Sequence, residues 1–368
     1  MITSKDVIRK LEEIAPKKLA EKWDNVGLQI GSREKRVNKI LLALDVTLDV
    51  VQEAIDNEVD MIVSHHPIFF SPIKSVDYDS YRGQLIKNII KNDIIVYTAH
   101  TNLDSSNRGV SDALIEELDI KPTGILSKVY KEKLYKLVVF VPETHEEALR
   151  GVLGGVGAGS IGNYSNCSFT SKGTGRFKPE DGADPYIGSI DEIEKVQEVK
   201  IEVIVSEDKL NKVVEEMISA HPYEEVAYDI IRLENTFSEY GTGRVGYVEK
   251  TTLGELAKYI KRKLNTPDIR VYGELDESVE RVAVSGGEGS DFIKDAKRAN
   301  VDVYITGDIK HHMAQIATEL GVNIIDAGHF YTEKIVMKKL AKYFEGEFSK
   351  DIEVLISEKD NIAKYYSL

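Results

Sequence analysis

The sequence predicts an α/β fold: two pseudo-repeated α/β lobes that form one unit, with a ferredoxin-like α+β domain inserted between them. Three observations carry that expectation. Helices alternate with short apolar strands over residues 39–104, the pattern of a parallel sheet covered on both faces. The same order returns over residues 282–333 as a divergent repeat, at the level of pattern rather than identity. Between them the order becomes β-α-β-β-α-β, that of a ferredoxin-like unit able to fold by itself. The expected boundaries are residues 1–130 for the first lobe, 131–235 for the insert and 236–368 for the second lobe.

Taken in order, Thr3 or Ser4 can cap a first helix running to about Ile14, with Val7, Ile8 and Leu11 on one face. Trp23-Asp24-Asn25-Val26-Gly27-Leu28 comes next, with Trp23 readable as a core anchor and Asp24-Asn25 as a turn. Ile40 to Leu44 is a strand, Asp45 to Asn57 a helix, and Met61 to Val63 a strand ending in His65-His66-Pro67. A helix from about Tyr81 to Asn92 leads into the strand Ile94 to Tyr97, which ends in Thr98-Ala99-His100-Thr101-Asn102-Leu103-Asp104. In the insert, Leu134 to Val141 is a strand, Glu143 to Leu153 a helix and Gly154 to Gly159 a loop or hinge. A hairpin region (Cys167 to Phe177), a strand (Val199 to Val205), a helix (Glu207 to Ala220) and a strand (Ala227 to Leu233) complete it. In the second lobe, Val282 to Val284 is a strand, and the turn Ser285 to Ser290 opens a helix to about Ala299. Val301 to Ile305 is a strand ending in Thr306-Gly307-Asp308-Ile309-Lys310-His311-His312, and a helix continues from there through Glu319. The strand Val322 to Ile325 ends in Asp326-Ala327-Gly328-His329.

Composition narrows the function classes. With 368 residues, 42% hydrophobic and 30% charged, the chain fits a globular protein of two or three domains. A net charge of −14 argues against a general duplex-binding surface and leaves only a local basic patch open. Cys167 is the only cysteine, which excludes an intrachain disulfide and a thiolate metal cluster. The polar Met1-Ile2-Thr3-Ser4-Lys5-Asp6 start enters a helix, and no stretch approaches the roughly 18 apolar residues of a membrane span, so a cytoplasmic location is expected.

The chemistry gathers at strand ends. The chain has 8 histidines; His145 and His221 fall in the insert, and the others all sit where an apolar strand gives way to a loop. In a parallel α/β sheet, ligand sites lie outside the carboxyl ends of the strands. The strand before His65 matches the one before Asp308, and the strand before His100 matches the one before His329, so two facing halves bring four loaded strand ends into one cleft. The candidates are His65, His66, His100, Asp104, Asp308, His311, His312, His329 and Glu333. His329 and Glu333 are spaced i, i+4 and share a helix face. Imidazole with carboxylate suits Zn, Fe, Mn or a similar divalent ion. A glutamate able to bridge makes a two-metal site of the kind that activates water near neutral pH. Asp308 and His312 could handle protons; the alternative is a helix N-terminus with Asp308 as its cap. Gly286-Gly287-Glu288-Gly289-Ser290 succeeds a strand and opens a helix, which could place amides against an anion or serve helix packing alone.

Val63-Ser64-His65-His66-Pro67, Thr98-Ala99-His100-Thr101-Asn102-Leu103-Asp104, Gly307-Asp308-Ile309-Lys310-His311-His312 and Asp326-Ala327-Gly328-His329-Phe330-Tyr331-Thr332-Glu333 together resemble the Nif-three-like family. Members of that family are often catalogued as GTP cyclohydrolase 1 type 2 homologues. Trp23 to Leu28 and Gly241-Thr242-Gly243-Arg244-Val245-Gly246 also look like family segments. The resemblance implies a two-lobed α/β subunit, a dinuclear metal centre and a toroidal homohexamer whose sites face an internal cavity. It places metal ligands at His65, His66, Asp104, His329 and Glu333, with Glu333 bridging, and matches His100 and His312 to nearby family histidines; in the hydrolase reading, His312 or His100 is the catalytic group that handles protons. The insert, with His221-Pro222-Tyr223-Glu224-Glu225, is similar to the CutA/PII-like domain of longer bacterial members. The function expected is metal-dependent hydrolysis of a nucleotide or related heterocycle, with two divalent ions per subunit and no membrane partner. The alternative is a metal-containing regulatory or scaffold protein whose insert senses a small molecule.

Overall fold

The computed structural model describes residues 1–349 and 351–360. The chain forms two compact units, Met1–Tyr130 together with Tyr240–Leu368, and Lys131–Glu239.

In the first unit, one sheet has the order Gly27–Ile30, Ile95–Thr98, Met61–Ser64, Lys39–Ala43 and Glu353–Ile356. Its neighbours run parallel except Gly27–Ile30, which pairs antiparallel with Ile95–Thr98. The strand Met61–Ser64 is buried along its whole length, as expected for a central parallel strand with helices on both faces. The helix Ser4–Ile14 starts at a capping box between Thr3 and Asp6 and buries Val7, Ile8, Leu11 and Ile14. The helix after Lys39–Ala43 begins at Leu48, capped by the Thr47 hydroxyl, rather than at Asp45. That leaves Asp45 in the turn, where its carboxylate is available to the cleft.

A second sheet carries the later strand ends. Ser278–Glu288 pairs antiparallel with residues 244–252 and parallel with Val303–Gly307, which pairs parallel with Asn323–Asp326; Arg270–Tyr272 closes the edge. Sequence patterning assigns residues 236–368 to one lobe, but the C-terminal segment behaves otherwise. The helix Ile335–Phe348 packs Val336, Leu340, Phe344 and Phe348 among Val7, Leu11, Ile40 and Tyr97, and Glu353–Ile356 pairs with Lys39–Ala43. Burying that apolar helix face ties the end of the chain to its beginning.

The second unit has the element order β-α-β-β-α-β, with strands ordered Ser168–Phe177, Glu194–Ser206, Lys121–Pro142 and Tyr228–Thr252. This is a ferredoxin-like arrangement. The helices Glu146–Gly155 and Leu210–Ala220 pack Leu149, Leu153, Val213 and Met217 against Val139, Val141, Ile201 and Val203. Among the described residues, no helix is long and apolar enough to cross a membrane.

Candidate metal centre

His65 and His66 come directly after the strand Met61–Ser64, His100 comes after Ile95–Thr98, and Asp104 ends the short helix Thr101–Asp104. His329 and Glu333 open and close the helix His329–Glu333, downstream of Asn323–Asp326. These six side chains converge. Three overlapping groups, His65-His66-His100, His66-His329-Glu333 and His65-Asp104-Glu333, each bring their ligand atoms within 4.8 Å of one another.

The imidazoles are aimed by their hydrogen bonds on the far side. His65 Nδ1 lies 2.9 Å from the Ala99 carbonyl oxygen, which can only accept, so Nδ1 carries the proton and Nε2 offers its lone pair. His66, His100 and His329 each set Nδ1 2.9 Å from a carboxylate, those of Asp45, Asp24 and Asp308 respectively. A carbonyl or carboxylate behind each ring fixes tautomer and orientation, the arrangement that metal-ligating histidines show. Asp326 sets the turn beneath, its carboxylate accepting from the backbone N–H groups of Asp308, Ile309 and Gly328. Asp308 is therefore a partner of His329 and not a helix cap; the helix begins at His311 with Lys310 before it.

Glu333 occupies the middle. Its Oε1 lies 3.7 Å from His65 Nε2, while its Oε2 lies 3.2 Å from His66 Nε2 and 3.1 Å from His329 Nε2. Asp104 Oδ1 stands 3.6 Å from His65 Nε2. Yet His65 Nε2, Asp104 Oδ1 and Glu333 Oε2 are buried without a hydrogen-bond partner. Buried polar atoms are rarely left so, and an unpaired one costs about 1–3 kcal/mol. Three orphans converging, one imidazole nitrogen and two carboxylate oxygens, are a donor set that fits a divalent cation.

The charges point the same way. Burial opposes protonation of His66 and His329, but Asp45 with Glu333, and Asp308 with Glu333, outweigh it and hold the rings up at about 10 and about 11. Burial would raise Glu333, yet the surrounding imidazoles hold its carboxyl well below the usual range. Burial pushes Asp104 up. Burial would raise Asp24 too, but bonds from His100 and Thr101 hold it at about 2. The carboxylates thus demand positive charge, which protons or a bound cation can meet.

The glycine turn Gly286-Gly287-Glu288-Gly289 packs against the helix His329–Glu333, where Gly287 N–H donates to the Thr332 hydroxyl at 3.0 Å. Gly287 has φ +64°, and a Cβ there would stand 2.1 Å from Glu333 Oε1 and 3.3 Å from His329 Nε2. The missing side chain is the space the carboxylate occupies. The turn is legible in the sequence; only the fold shows the carboxylate it makes room for.

A cavity of about 670 Å³ opens over the cluster, with Trp23 and Phe70 on its wall. Trp23 is no core anchor: it is 64% exposed, and its ring stands edge-on to His100 at 6.1 Å. Phe70 is 53% exposed and stands edge-on to the same imidazole at 5.8 Å. His311 and His312 lie on the first turn of the helix His311–Leu320 and belong to none of the three groups. His312, expected to be catalytic, is exposed and is not brought to the centre; helix geometry turns it outward.

The family model Duf34/NIF3 (NGG1p interacting factor 3) matches residues 2–362. A Bacillus subtilis protein called GTP cyclohydrolase 1 type 2 homolog is 44% identical over 93% of this chain and 91% of its own length. A solved Bacillus cereus protein related to NIF3 superposes with a TM-score of 0.90 at 42% identity, covering 100% of this chain and 99% of its own. Staphylococcus aureus protein SA1388 gives 0.81 at 32% identity, over 100% and 99%. The chain belongs to the Duf34/NIF3 family.

Proposed function

We propose that this chain is a metal-dependent hydrolase, GTP cyclohydrolase-like or acting on another nucleotide or related heterocycle. The observation that carries the reading is the set of overlapping groups of imidazole nitrogens and carboxylate oxygens, some of them orphaned, beneath an aromatic-walled cavity. Two divalent ions, of Zn, Fe or Mn, are the proposed cofactors. His65, Asp104 and Glu333 Oε1 would hold one; His66, His329 and Glu333 Oε2 would hold the other, with Glu333 spanning them. Such ions supply Lewis acidity toward water and toward the electrophile of a substrate.

The chain's own residues do the rest. Trp23 and Phe70 are placed to hold a flat ring over the centre. His100, oriented by Asp24, is the proposed proton-handling group. The names of the relatives favour the nucleotide class. A cytoplasmic toroidal homohexamer and a CutA/PII-like character for the Lys131–Glu239 unit belong to the same proposal. The latter is supported by strand order alone.

Elemental analysis of wild type beside Glu333→Ala, with GTP turnover assayed on the same samples, tests this. Near two ions per chain and turnover in wild type, both lost in the variant, are expected. Metal without turnover of GTP or other nucleotides overturns the hydrolase and favours the regulatory protein. Metal unchanged in Glu333→Ala overturns the ligand set.

A further inference from the structure

The Lys131–Glu239 unit holds a cavity of about 530 Å³, away from its helices. Val199, Ile201, Val203 and Val205 turn toward the helical core, so alternation places Glu198 on the opposite face of the sheet. There it is only 9% exposed. Its Oε1 accepts from the Tyr223 hydroxyl at 3.0 Å; no donor to Oε2 is found among the described residues, and Glu198 lines the cavity. On the neighbouring strand, Gly173 lies opposite Glu198 and Gly175 opposite Val196. A Cβ on Gly175 would stand 2.1 Å from Glu198 Oε2, so the glycine is what lets the carboxylate lie across the strand.

Aromatic rings surround that carboxylate. Phe177 packs edge-on to Tyr223 at 5.7 Å, and Tyr186 lies 6.3 Å from Tyr223; all three line the cavity. The basic residues at its lip do not neutralise it. Lys178 is paired with Asp191 at 2.8 Å, and both Lys178 and Arg176 are exposed, where water and salt screen them. Glu224 and Glu225 at the same lip are exposed and screened alike, which leaves Glu198 as the buried charge of the lining. A carboxylate nine-tenths buried and set among aromatic faces offers a cation both a counter-ion and ring faces that attract positive charge.

We propose that this cavity binds a small organic cation, a quaternary or protonated amine on a compact apolar body. Glu198 is its counter-ion, and Phe177, Tyr186 and Tyr223 are its walls. None of these residues belongs to the metal centre. The site gives the regulatory alternative a ligand class, and its failure would leave the metal reading untouched.

The test is calorimetric titration of the full chain with benzyltrimethylammonium, benzyl alcohol and benzoate. The cation is expected to bind once per chain and more tightly than either comparator. Glu198→Gln, which keeps the shape and the Tyr223 bond, is expected to weaken it roughly tenfold or more, since a charged partner is worth about 1.5–3 kcal/mol. Gly175→Ala, whose methyl displaces the carboxylate without removing its charge, is expected to weaken it too. That second variant decides the matter should Glu198→Gln melt early. Glu333→Ala is expected to bind the cation as wild type does. No binding of the cation, equal binding of benzoate, or affinity unchanged in both Glu198→Gln and Gly175→Ala overturns the proposal.

Discussion

Gly287→Ala separates a backbone cost from a ligand-positioning cost at one position. With φ at +64°, an alanine there occupies the left-handed region at about 1–2 kcal/mol, a fall in Tm of a few degrees for a chain of this size. The methyl would also meet Glu333 Oε1 at 2.1 Å where ordinary contact begins at 3.4 Å, so the carboxylate must retreat by roughly 1.3 Å. Metal–ligand distances tolerate about 0.2 Å, so a shift of that size is expected to cost on the order of 100-fold or more in metal affinity. Gly321→Ala is the control. Its φ is +67°, at the C-cap of His311–Leu320, and its Cβ would meet only Lys297 Nζ at 3.9 Å. Both variants are expected to lose similar Tm in melts of the metal-free protein, and only Gly287→Ala to lose metal on dialysis against a competing chelator. Equal metal retention in the two variants would refute the argument that Gly287 makes room for a ligand.

Arg244 is buried and donates to both oxygens of Asp112 and to the carbonyls of Gly241, Gly243 and Ser106. Arg244→Met leaves Asp112 and those carbonyls short of donors, and a loss of about 3–5 kcal/mol in urea unfolding is expected; a loss under about 1 kcal/mol would show the network relaxes at little cost. His221 supplies a pH prediction. Nε2 lies 2.9 Å from the Phe140 carbonyl while Nδ1 accepts from Tyr223 N–H, so the fold needs the neutral ring, and burial lowers its pKa from 6.5. A lowered folded-state value means the unfolded chain binds the proton first, so stability is full above about pH 6.5 and falls as pH drops below it. The protection factor of Tyr223 N–H, the exchange rate divided into the intrinsic rate at each pH, should fall on acidification through that range, and a pH-independent protection factor would contradict the assigned tautomer.

Much of the centre was legible because strand ends are legible. The runs Met61 to Val63 and Ile94 to Tyr97 are apolar enough to be buried strands, and a buried parallel strand must deliver the next residues of the chain to the sheet's carboxyl edge. The i, i+4 spacing of His329 and Glu333 likewise survives into the helix that carries them. The features that could not be read depend on juxtaposition across long sequence separations. Asp45 and Asp24 are ordinary turn residues until the fold sets them behind His66 and His100, and Asp308, a candidate from its strand end, gains its partner His329 only in the fold. Trp23 has core-like hydrophobicity, and only the packing shows that it faces the cavity. His312 comes after a strand end as the others do, but a helix starts one residue earlier and turns it to solvent. The strand Glu353–Ile356 pairs with a segment more than three hundred residues away, which local periodicity cannot specify.

The central claim is that His65, His66, Asp104, His329 and Glu333 enclose divalent ions. The most direct measurement is anomalous X-ray scattering from crystals of the purified full chain, recorded at the absorption edges of Zn, Fe and Mn. The account predicts anomalous peaks bonded to His65 Nε2, Asp104 and Glu333 Oε1 on one side and to His66 Nε2, His329 Nε2 and Glu333 Oε2 on the other. Anomalous density elsewhere in the chain, or none at this cluster in crystals grown with all three ions supplied, would contradict it.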